Sequence, residues 1–381
     1  MRVLHVMPSF WPATRYGGPI ESVLRLCQAL LREGVSLEVV TTNADGEGDL
    51  PVPTDRLTDA QGVPVRYFAR RPRTRFAISA PLATHLARAI PAFDLVHVTA
   101  LFSFSSAVAM SVARAQGVPY VVSPRGTLRP WALGSKRWKK APYFHLVERP
   151  NLVHAAGIHA TSDDEREEAA RLLPGAFAFT VPNGIDLPAA PAVPRDPRRV
   201  VFLGRIHPVK GFDVLVPALS RLALALPDVE TLIAGPDEDG EWMRVEAAIA
   251  RSNPRPRVRW LGPVRGEDKL ALLASAAALV LPSHSENFGM VVAEALACGT
   301  PVVVSKNCPW RVVEERGAGA WVDNTPERIE AALRAILTAP EEARRRMGEA
   351  GRSIAEGLGW AEVARAMIAR YEEAMARGRR R

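Results

Sequence analysis

The sequence predicts an α/β protein made of two Rossmann-like domains that face each other across a cleft. Short apolar runs typical of buried strands alternate with helix-like segments along the whole chain, which indicates parallel sheets with helical crossovers. Residues 187–198 are rich in proline and alanine, a composition typical of linkers, and they separate two such arrays. With 381 residues, the chain can build two domains. We therefore expect one domain over residues 1–186 and a second over residues 199–358.

The first half opens with a predicted βαβ unit. A strand at residues 2–7 leads through a loop to a helix at residues 19–32 and then to a strand at residues 35–41. The loop contains Gly17-Gly18 followed by a proline suited to the first turn of a helix. It does not match Gly-x-Gly-x-x-Gly, which argues against a dehydrogenase-type dinucleotide site. Taken alone, the glycine pair is equally consistent with a simple turn.

The rest of the first half continues the alternation of strands and helices. Its predicted strands are at residues 63–68, 94–99, 119–123, 158–161 and 179–182, and its predicted helices at residues 81–89, 103–116 and 135–148, with a further one opening at residue 162. Residues 45–58 read as a loop, and Ser162 and Glu165 form a capping-box pattern. His97 lies inside a predicted strand, where a single histidine is ordinarily a core or edge residue.

The second half begins with a strand that delivers cations to the start of a helix. The strand at residues 199–203 leads into Gly204-Arg205 and then Lys210-Gly211, directly before a helix at residues 212–225. A helix N-terminus favours anions, arginine can bridge a diphosphate with two donors, and lysine adds a point charge. Further strands are predicted at residues 230–234, 257–261, 277–281 and 301–304, and helices at residues 289–297, 325–338, 341–356 and 360–376.

Residues 282–301 carry the most specific pattern in the chain. They read Pro-Ser-His-Ser-Glu-Asn-Phe-Gly-Met-Val-Val-Ala-Glu-Ala-Leu-Ala-Cys-Gly-Thr-Pro, a polar loop followed by a packed helix. Glu286 lies in the loop and Glu294 in the helix, and carboxylates accept hydrogen bonds from paired hydroxyls. Backbone N–H groups near Phe288, Gly289 and Met290 could meet an anion. An anion and sugar hydroxyls together indicate a sugar nucleotide; the alternative is an ordinary α/β unit with two unrelated glutamates.

This string resembles the Glu-(seven residues)-Glu signature of the retaining glycosyltransferases of family 4, which have the GT-B fold. The resemblance covers nearly the whole chain and implies that the last helix, residues 359–381, crosses back to the first domain. It also implies that Arg205 and Lys210 bind the donor's diphosphate, and that Glu286 orients the sugar. Glu294 would hold the ribose. The donor-binding residues implied in this way are Gly18, Gly204, Arg205, Lys210, Val264, Glu286, Asn287, Phe288, Gly289, Met290 and Glu294, and of these Arg205, Lys210 and Glu286 are assigned to catalysis.

On the sugar and acceptor side, the resemblance implicates Gly17, His97 and Arg125. Family members often carry His-x-His where this chain has His97 and Thr99, so the contact of His97 with the transferred sugar is in doubt here. The resemblance extends to Asn183-Gly184-Ile185-Asp186, a tetrad that recurs in the family before the crossover between domains.

A basic segment follows Arg125 and resembles segments in family 4 enzymes of bacterial surface-polysaccharide assembly. It combines two tryptophans with six basic residues, namely Arg125, Arg129, Lys136, Arg137, Lys139 and Lys140. Such a segment could meet a lipid diphosphate at an anionic membrane surface. A solvated basic face is the equally weighted alternative.

Composition limits the binding partners and the cellular location that we expect for the protein. The net charge of +8 favours anionic partners, and part of it lies in the C-terminal Arg377, Arg379, Arg380 and Arg381. Three scattered cysteines show no metal-ligand spacing and fit a reducing cytoplasm. We therefore expect a cytoplasmic protein, which could also associate peripherally with the inner face of the cytoplasmic membrane. No apolar run reaches the roughly eighteen residues of a spanning helix, and no signal-peptide pattern is present. Asp237-Glu238-Asp239 superficially matches a metal motif, but we expect neither a metal nor a cofactor.

The sequence thus predicts transfer of a hexose from a nucleoside-diphosphate sugar to a saccharide or lipid-linked saccharide acceptor, with retention of configuration. Within the same fold, the alternatives are a sugar-nucleotide epimerase, a glycan phosphorylase and a catalytically silent relative. The alternative from another class is a basic nucleic-acid-binding protein. It would explain the charge but would leave Glu286 and Glu294 without a role, so we expect no nucleic-acid partner.

Overall fold

The chain forms two compact units, one of Met1–Gly184 together with the segment from Trp360 onward, the other of Ile185–Gly359. The computed structural model describes residues 1–13, 18–74, 76–129, 137–187, 193–237 and 240–378. Within these ranges, no helix is both long and apolar enough to cross a membrane. The chain passes from the first unit to the second at Gly184 and back at Gly359.

The first unit contains an eight-stranded sheet in the order β10-β9-β8-β7-β1-β2-β6-β5. All neighbouring strands pair in parallel except β5 and β6, which form an antiparallel hairpin at one edge. The strands are Arg2–Ser9 (β1), Ser36–Thr42 (β2), Ala44–Asp45 (β3), Gly48–Asp49 (β4), Leu57–Ala60 (β5), Val63–Phe68 (β6), Leu95–Thr99 (β7), Tyr120–Ser123 (β8), Gly157–Ala160 (β9) and Ala178–Thr180 (β10), of which β3 and β4 form a separate two-stranded ribbon.

Helices cover both faces of this sheet, because its central strands are buried and apolar on both sides. The helices of the first unit before the crossover are Gly18–Arg32 (α1), Ala80–Ala89 (α2), Phe104–Ala115 (α3), Arg137–Tyr143 (α4), Arg149–His154 (α5) and Asp163–Leu172 (α6). The segment predicted as one basic helix at residues 135–148 is interrupted. Residues Phe144–Glu148 form a π-helical turn that joins α4 to α5. Residues 135 and 136 lie outside the described residues.

The second unit contains a six-stranded, wholly parallel sheet in the order β13-β12-β11-β14-β15-β16. Its strands are Asp196–Leu203 (β11), Glu230–Ala234 (β12), Arg257–Trp260 (β13), Ala276–Leu281 (β14), Val302–Ser305 (β15) and Gly319–Val322 (β16). Its helices are Phe212–Ala225 (α7), Trp242–Arg251 (α8), Gly266–Ala274 (α9), Met290–Ala297 (α10), Val312–Glu315 (α11), Pro326–Thr338 (α12) and Glu341–Glu356 (α13).

The last helix, Trp360–Gly378 (α14), belongs to the first unit, as the sequence predicted. Its apolar side, which includes Met367, Tyr371 and Ala374, joins the core that α1 forms with the sheet. At the start of this helix the ring of Trp360 lies against Gly184, where a Cβ atom would overlap the indole. The α/β class, with two largely parallel sheets and a returning C-terminal helix, is confirmed.

The strand order positions the ligand-binding edge in each unit. In the second unit the order reverses between β11 and β14, and in the first unit between β1 and β7. In open α/β sheets the crevice beyond the carboxyl ends of two such strands is where ligands bind. We therefore expect ligand-binding sites at the loops after β11 and β14 and at those after β1 and β7.

Two further regions differ from the sequence prediction. Residues 45–58, predicted as a loop, contain β4 and the first residues of β5, which form by pairing with β3 and β6. The other region is the linker. Strand β11 begins at Asp196, so residues 196–198, which composition assigned to the linker, are part of the sheet. Asp196 pairs with Ala276 of β14, and the guanidinium of Arg195 donates to the carbonyls of Gly299 and Cys298. The local sequence, rich in proline and arginine, does not predict a strand here. The first residues of β11 are extended because they pair with β14. Residues 188–192 of the predicted linker are outside the described residues.

Candidate active site

The loop after β11 presents two cations at the switch point of the second unit. β11 ends at Leu203, and the amide of Gly204 then donates to the carbonyl of Ala234 at 2.9 Å. Arg205 is exposed. A single 3-10 turn, Pro208–Lys210, places Lys210 directly before α7. The cationic loop predicted from sequence is thus at the carboxyl edge of the sheet.

Gly211 joins this loop to α7 in a conformation that only glycine accepts readily. Its φ is +74°, and a Cβ atom on it would overlap the carbonyl oxygen of Pro282. The backbone after β11 therefore lies directly against the backbone after β14, and glycine permits this close approach.

The loop after β14 brings Glu286 to Lys210. A carboxylate oxygen of Glu286 forms an ion pair with the Lys210 ammonium, and both side chains are largely buried. The amide of His284 donates to the carbonyl of Val209 at 2.8 Å, and the His284 ring hydrogen-bonds Asp213 of α7 at 2.8 Å. The two segments that the sequence assigned to the donor therefore lie together, with Lys210 and Glu286 in direct contact.

The start of α10 forms the adjoining wall. Gly289 precedes the helix in the left-handed conformation, with φ of +81°, and Met290 is its first residue. Phe288 is buried against Trp310, whose indole donates to the Phe288 carbonyl. This packing fixes the turn, so that the first N–H groups of α10 lie at the carboxyl edge where an anion would bind. Asn287 lies in the same loop, between Glu286 and Phe288.

Glu294, one turn into α10, has a partner that sequence reasoning missed. The Lys269 ammonium of α9 lies 2.8 Å from a Glu294 carboxylate oxygen, and both side chains are largely buried. Lys269 is one of several charged residues at the start of α9, so no motif marks it. The pairing arises because α9 packs against α10.

The loop with Val264 and the metal-like motif at Asp237 both form hydrogen bonds within the second unit. Val264 lies in the loop after β13, and Gly262 in that loop accepts the amide of Gly235 at 2.8 Å. Asp237 accepts the amides of Glu241 and Trp242, at 2.8 and 3.1 Å, at the start of α8. Its carboxylate is therefore engaged in capping. Glu238 and Asp239, the rest of the metal-like motif, are outside the described residues.

In the first unit, Gly18 is the first residue of α1, whereas Gly17 lies outside the described residues. His97 is fully buried in β7, where it lies beside His5 of β1 with ring centroids 4.4 Å apart. Its Nδ1 is hydrogen-bonded to the Tyr371 hydroxyl of α14 at 2.6 Å. Thr99, which replaces the second histidine of the family pattern, hydrogen-bonds the His5 ring at 2.9 Å.

This geometry does not support the sugar contact that the resemblance implied for His97. The ring is fully buried among His5, His159 and Tyr371, so it cannot meet a ligand without movement of its neighbours. The burial matches the other interpretation given from the sequence, a core histidine, but the partner Tyr371 lies 274 residues away and has no sequence signal.

Arg125 follows β8 at the carboxyl edge and is held by a residue of the recurring tetrad. It adopts a positive φ of 54°, and its guanidinium donates to the side-chain oxygen of Asn183. Burial lowers the pKa of the Arg125 guanidinium. Glu165 accepts the amides of Gly126 at 2.6 Å and Thr161 at 2.8 Å, so it fixes the turn after Arg125. Half of the predicted capping box is formed, since the Ser162 hydroxyl accepts the amide of Glu165 at 3.3 Å.

Burial shifts the titration of the histidines around Arg125. It lowers the pKa of His5 to about 3 and that of His159 to about 3, and in both cases the positive charge of Arg125 adds to the effect. His159 stacks on Phe179, and its Nε2 donates to the Val181 carbonyl at 2.9 Å. These rings are therefore neutral in the folded protein above pH 3, whereas in the unfolded chain they take up a proton below about pH 6.5.

We expect this difference to make the first unit less stable as the pH falls. Between about pH 6.5 and 3 the unfolded state binds more protons than the folded state, so the free energy of unfolding decreases by up to about 1.4 kcal/mol per pH unit for each such histidine. Glu148, whose pKa burial raises to about 7, acts in the opposite direction. Comparison with His159→Gln isolates one histidine, because Gln retains a donor for the Val181 carbonyl.

The measurement is hydrogen exchange of the β7–β9 amides at pH 7.5 and 5.0. Between these pH values the wild-type protein should lose about 2 kcal/mol more stability than His159→Gln. Equal pH dependence in the two proteins would show that His159 is not held neutral.

Comparison with known proteins agrees with this geometry in both units. The family profile described as glycosyl transferases group 1 matches residues 186–354, and that of the glycosyl transferase 4-like domain matches residues 17–184. A D-inositol 3-phosphate glycosyltransferase of Kineococcus radiotolerans is 31% identical over 98% of this chain and 94% of its own length. The chain belongs to the family 4 glycosyltransferases of GT-B type.

Two further comparisons describe the range of this glycosyltransferase's relatives. A D-inositol 3-phosphate glycosyltransferase of Segniliparus rotundus is 38% identical, over 52% of this chain and 47% of its own length. Among solved structures, Anabaena Alr3699/HepE in complex with UDP and glucose has a TM-score of 0.71, with 19% identity, and covers 98% of this chain and 99% of its own. At that identity, the likeness shows the fold of the glycosyltransferase alone.

Proposed function

We propose that this glycosyltransferase moves a hexose from a nucleoside-diphosphate sugar to a saccharide or lipid-linked saccharide acceptor, with retention of the anomeric configuration. The observation that carries the proposal is the contact of Lys210 with Glu286 at the β11/β14 switch point. A cation for a diphosphate and a carboxylate for sugar hydroxyls are thereby placed side by side. The relatives support it, since two are named glycosyltransferases and the Anabaena structure contains UDP and glucose.

In this proposal the donor lies along the carboxyl edge of the second unit. Arg205, Lys210 and the first amides of α10 bind the diphosphate, and Glu294 accepts the ribose hydroxyls. Glu286 orients the hexose through its hydroxyl groups. Val264 lies in the loop that we assign to the nucleotide base. The two ion pairs seen here, Lys210 with Glu286 and Lys269 with Glu294, hold the carboxylates in place before the donor arrives.

The proposed roles of the residues follow from the negative charge that develops on the leaving diphosphate during transfer. The bond between the anomeric carbon and the diphosphate oxygen breaks, and the acceptor oxygen forms its bond to the same face of the sugar. The acceptor's proton passes to the departing diphosphate. Negative charge therefore grows on the leaving group in the transition state, where Arg205, Lys210 and the α10 amides stabilise it. We propose that these protein groups do the work that a metal ion does in other enzymes.

A thermal-shift panel of UDP-, GDP- and ADP-sugars tests donor binding, because a ligand that binds the folded state raises its apparent stability. With the donor that binds, proton NMR of the product should show the anomeric configuration of the donor, and EDTA should leave the rate unchanged. An inverted product would contradict retention, and a rate abolished by EDTA would contradict metal independence. Conversion of the donor to an epimer without acceptor, detected after hydrolysis and chromatography, would favour the epimerase.

We further propose a role in cell-surface polysaccharide or glycoconjugate synthesis, with peripheral association at an anionic membrane surface. Trp138 and Leu146, in the segment from α4 to α5, are 76% and 77% exposed, and Lys140 lies in the same segment. Exposed apolar side chains beside basic residues suit an interfacial position. Arg125 and Arg129 do not contribute, because Asn183 holds the first and Glu168, at 3.5 Å, the second.

Sedimentation with vesicles tests this association. Binding to vesicles that contain phosphatidylglycerol should exceed binding to phosphatidylcholine vesicles, and Leu146→Glu should reduce it several-fold. Leu224→Glu, which changes an exposed leucine of the second unit, is the control. Equal sedimentation of the wild-type protein with both vesicle types would contradict the proposal.

A further inference from the structure

A cleft of about 410 Å³ opens in the first unit between the loop that follows β1 and the β5–β6 hairpin. Its volume lies within the range of about 300–1,000 Å³ found for small-molecule sites. None of the residues assigned above to donor, sugar or acceptor lines it. The described lining residues are Trp11, Pro12, Val52, Pro53, Thr58, Asp59, Ala60, Gln61 and Tyr67.

The lining combines aromatic surface with polar groups. Trp11 provides ring surface, and it is held in place because the Tyr67 hydroxyl donates to its carbonyl oxygen. Tyr67 is itself nearly fully buried, and burial raises its pKa to about 12, so the hydroxyl stays protonated as a donor. Trp11 remains only partly covered, with surface left for a ligand.

The polar groups of the cleft suit hydroxyl ligands. Asp59 uses its Oδ1 to accept the amide of Gly62 at 3.0 Å, which fixes the hairpin turn, and its side chain is exposed. The side chain of Gln61 is also exposed beside it. A carboxylate accepts hydrogen bonds from neighbouring hydroxyls, and an amide both donates and accepts.

Charge narrows the class of ligand. The described lining residues include a carboxylate and no lysine or arginine, so a phosphate or another anion would meet repulsion without compensation. A neutral ligand with an apolar face and a rim of hydroxyls matches the cleft. A pyranose ring has both.

The position of Trp11 connects the cleft to the proposed reaction. Trp11 lies on the loop that follows β1, at the switch point of the first unit. We infer that this cleft is a saccharide subsite, which stacks one sugar ring of the acceptor on Trp11 and binds its hydroxyls through Asp59 and Gln61. The assignment of that sugar to the acceptor rests on the proposed function, but saccharide binding in the cleft can be tested without it.

Saturation-transfer NMR on the full-length protein tests the subsite directly. The probes are maltose, cellobiose, chitobiose, lactose and α-1,6-mannobiose. We expect at least one to bind, and Trp11→Ala to weaken its Kd about five- to tenfold through loss of ring stacking. Asp59→Asn, which keeps an oxygen for the Gly62 amide, should also weaken binding.

Phe177→Ala is the matched control. Phe177 lines a second cleft of the same unit, but the Arg377 guanidinium already lies over its ring, 4.0 Å from the centroid. This substitution should leave saccharide binding within a factor of about two of the wild type. A thermal-shift titration with UDP on each variant shows whether the donor site persists.

The outcomes separate the subsite from the proposed function. Loss of saccharide binding in Trp11→Ala with an unchanged UDP response supports the subsite. Absence of binding by every probe, or equal affinity in wild type and Trp11→Ala, overturns it. If UDP stabilisation is lost in Trp11→Ala, the cleft binds nucleotide and the inference is wrong. Failure of wild type to bind any nucleotide sugar would contradict the proposed function, whatever the saccharide result.

Discussion

Lys210→Ala is expected to lower kcat/KM for glycosyl transfer by about 10²–10³-fold, since one charge that stabilises the leaving group is lost. The substitution also leaves the largely buried Glu286 carboxylate without its ion-pair partner. The first effect acts mainly in the transition state, where negative charge grows on the leaving group. Steady-state kinetics with the donor identified by the thermal-shift panel measure the change.

Arg221→Ala is the matched control for Lys210. Arg221 is an exposed cation on α7 of the same unit and pairs with the exposed Glu327 of α12. An exposed ion pair contributes about 0–1 kcal/mol to stability, and Arg221 lies on no loop of the candidate site, so transfer should be unchanged. If Lys210→Ala kept kcat/KM within a factor of about three of the wild type, the assignment of Lys210 to the diphosphate would be wrong.

Gly211→Ala is expected to destabilise the second unit by about 2–5 kcal/mol and to abolish donor binding with it. The left-handed conformation costs an alanine about 1–2 kcal/mol, and its Cβ would overlap the Pro282 carbonyl, which adds an overpacking cost of about 1–3 kcal/mol. The overlap can be relieved only if the backbone after β14 moves away. Urea unfolding of the second unit and UDP binding measure the two effects.

The control for Gly211 is Gly317→Ala in the same unit. Gly317 has a similar φ of +69°, but no heavy atom lies within 4 Å of a Cβ atom built there. This variant should lose only the conformational cost of about 1–2 kcal/mol and keep UDP binding. Equal losses in the two variants would mean that the contact between Gly211 and Pro282 does not constrain the loop.

Local pattern was sufficient for much of the fold. α7 at Phe212–Ala225 and β12 at Glu230–Ala234 were predicted with the bounds they have, because glycine or a polar turn marks each end. β11 was not, because its first residues read as linker and are held by pairing with β14. The π-helical turn at Phe144–Glu148 was also missed, since the same apolar spacing suits a regular helix.

The residues of the candidate site were likewise predicted in part, whereas the contacts between them were not. The sequence assigned both Lys210 and Glu286 to the donor, but it did not predict their direct contact, which joins positions 76 apart and follows from the adjacency of β11 and β14. The partnership of Lys269 with Glu294 depends on the packing of two helices and has no sequence signal. Likewise, the hydrogen-bond partner of His97, Tyr371, lies 274 residues away along the chain. Local pattern identified the candidate site residues. Which side chains contact each other followed only from the strand order and the packing of the helices.

The crossover of the chain has a consequence for its synthesis on the ribosome. Ile185 and Leu358 are hydrogen-bonded at 2.9 Å, so the second unit is a continuous insertion whose two ends meet. Every residue of that unit has been made once Gly359 has emerged. The first unit, although started earlier, lacks Met367, Tyr371 and Ala374 of its core until α14 has been made. The later-encoded unit therefore completes its fold first, and the nascent N-terminal sheet must wait with an apolar face uncovered until α14 arrives.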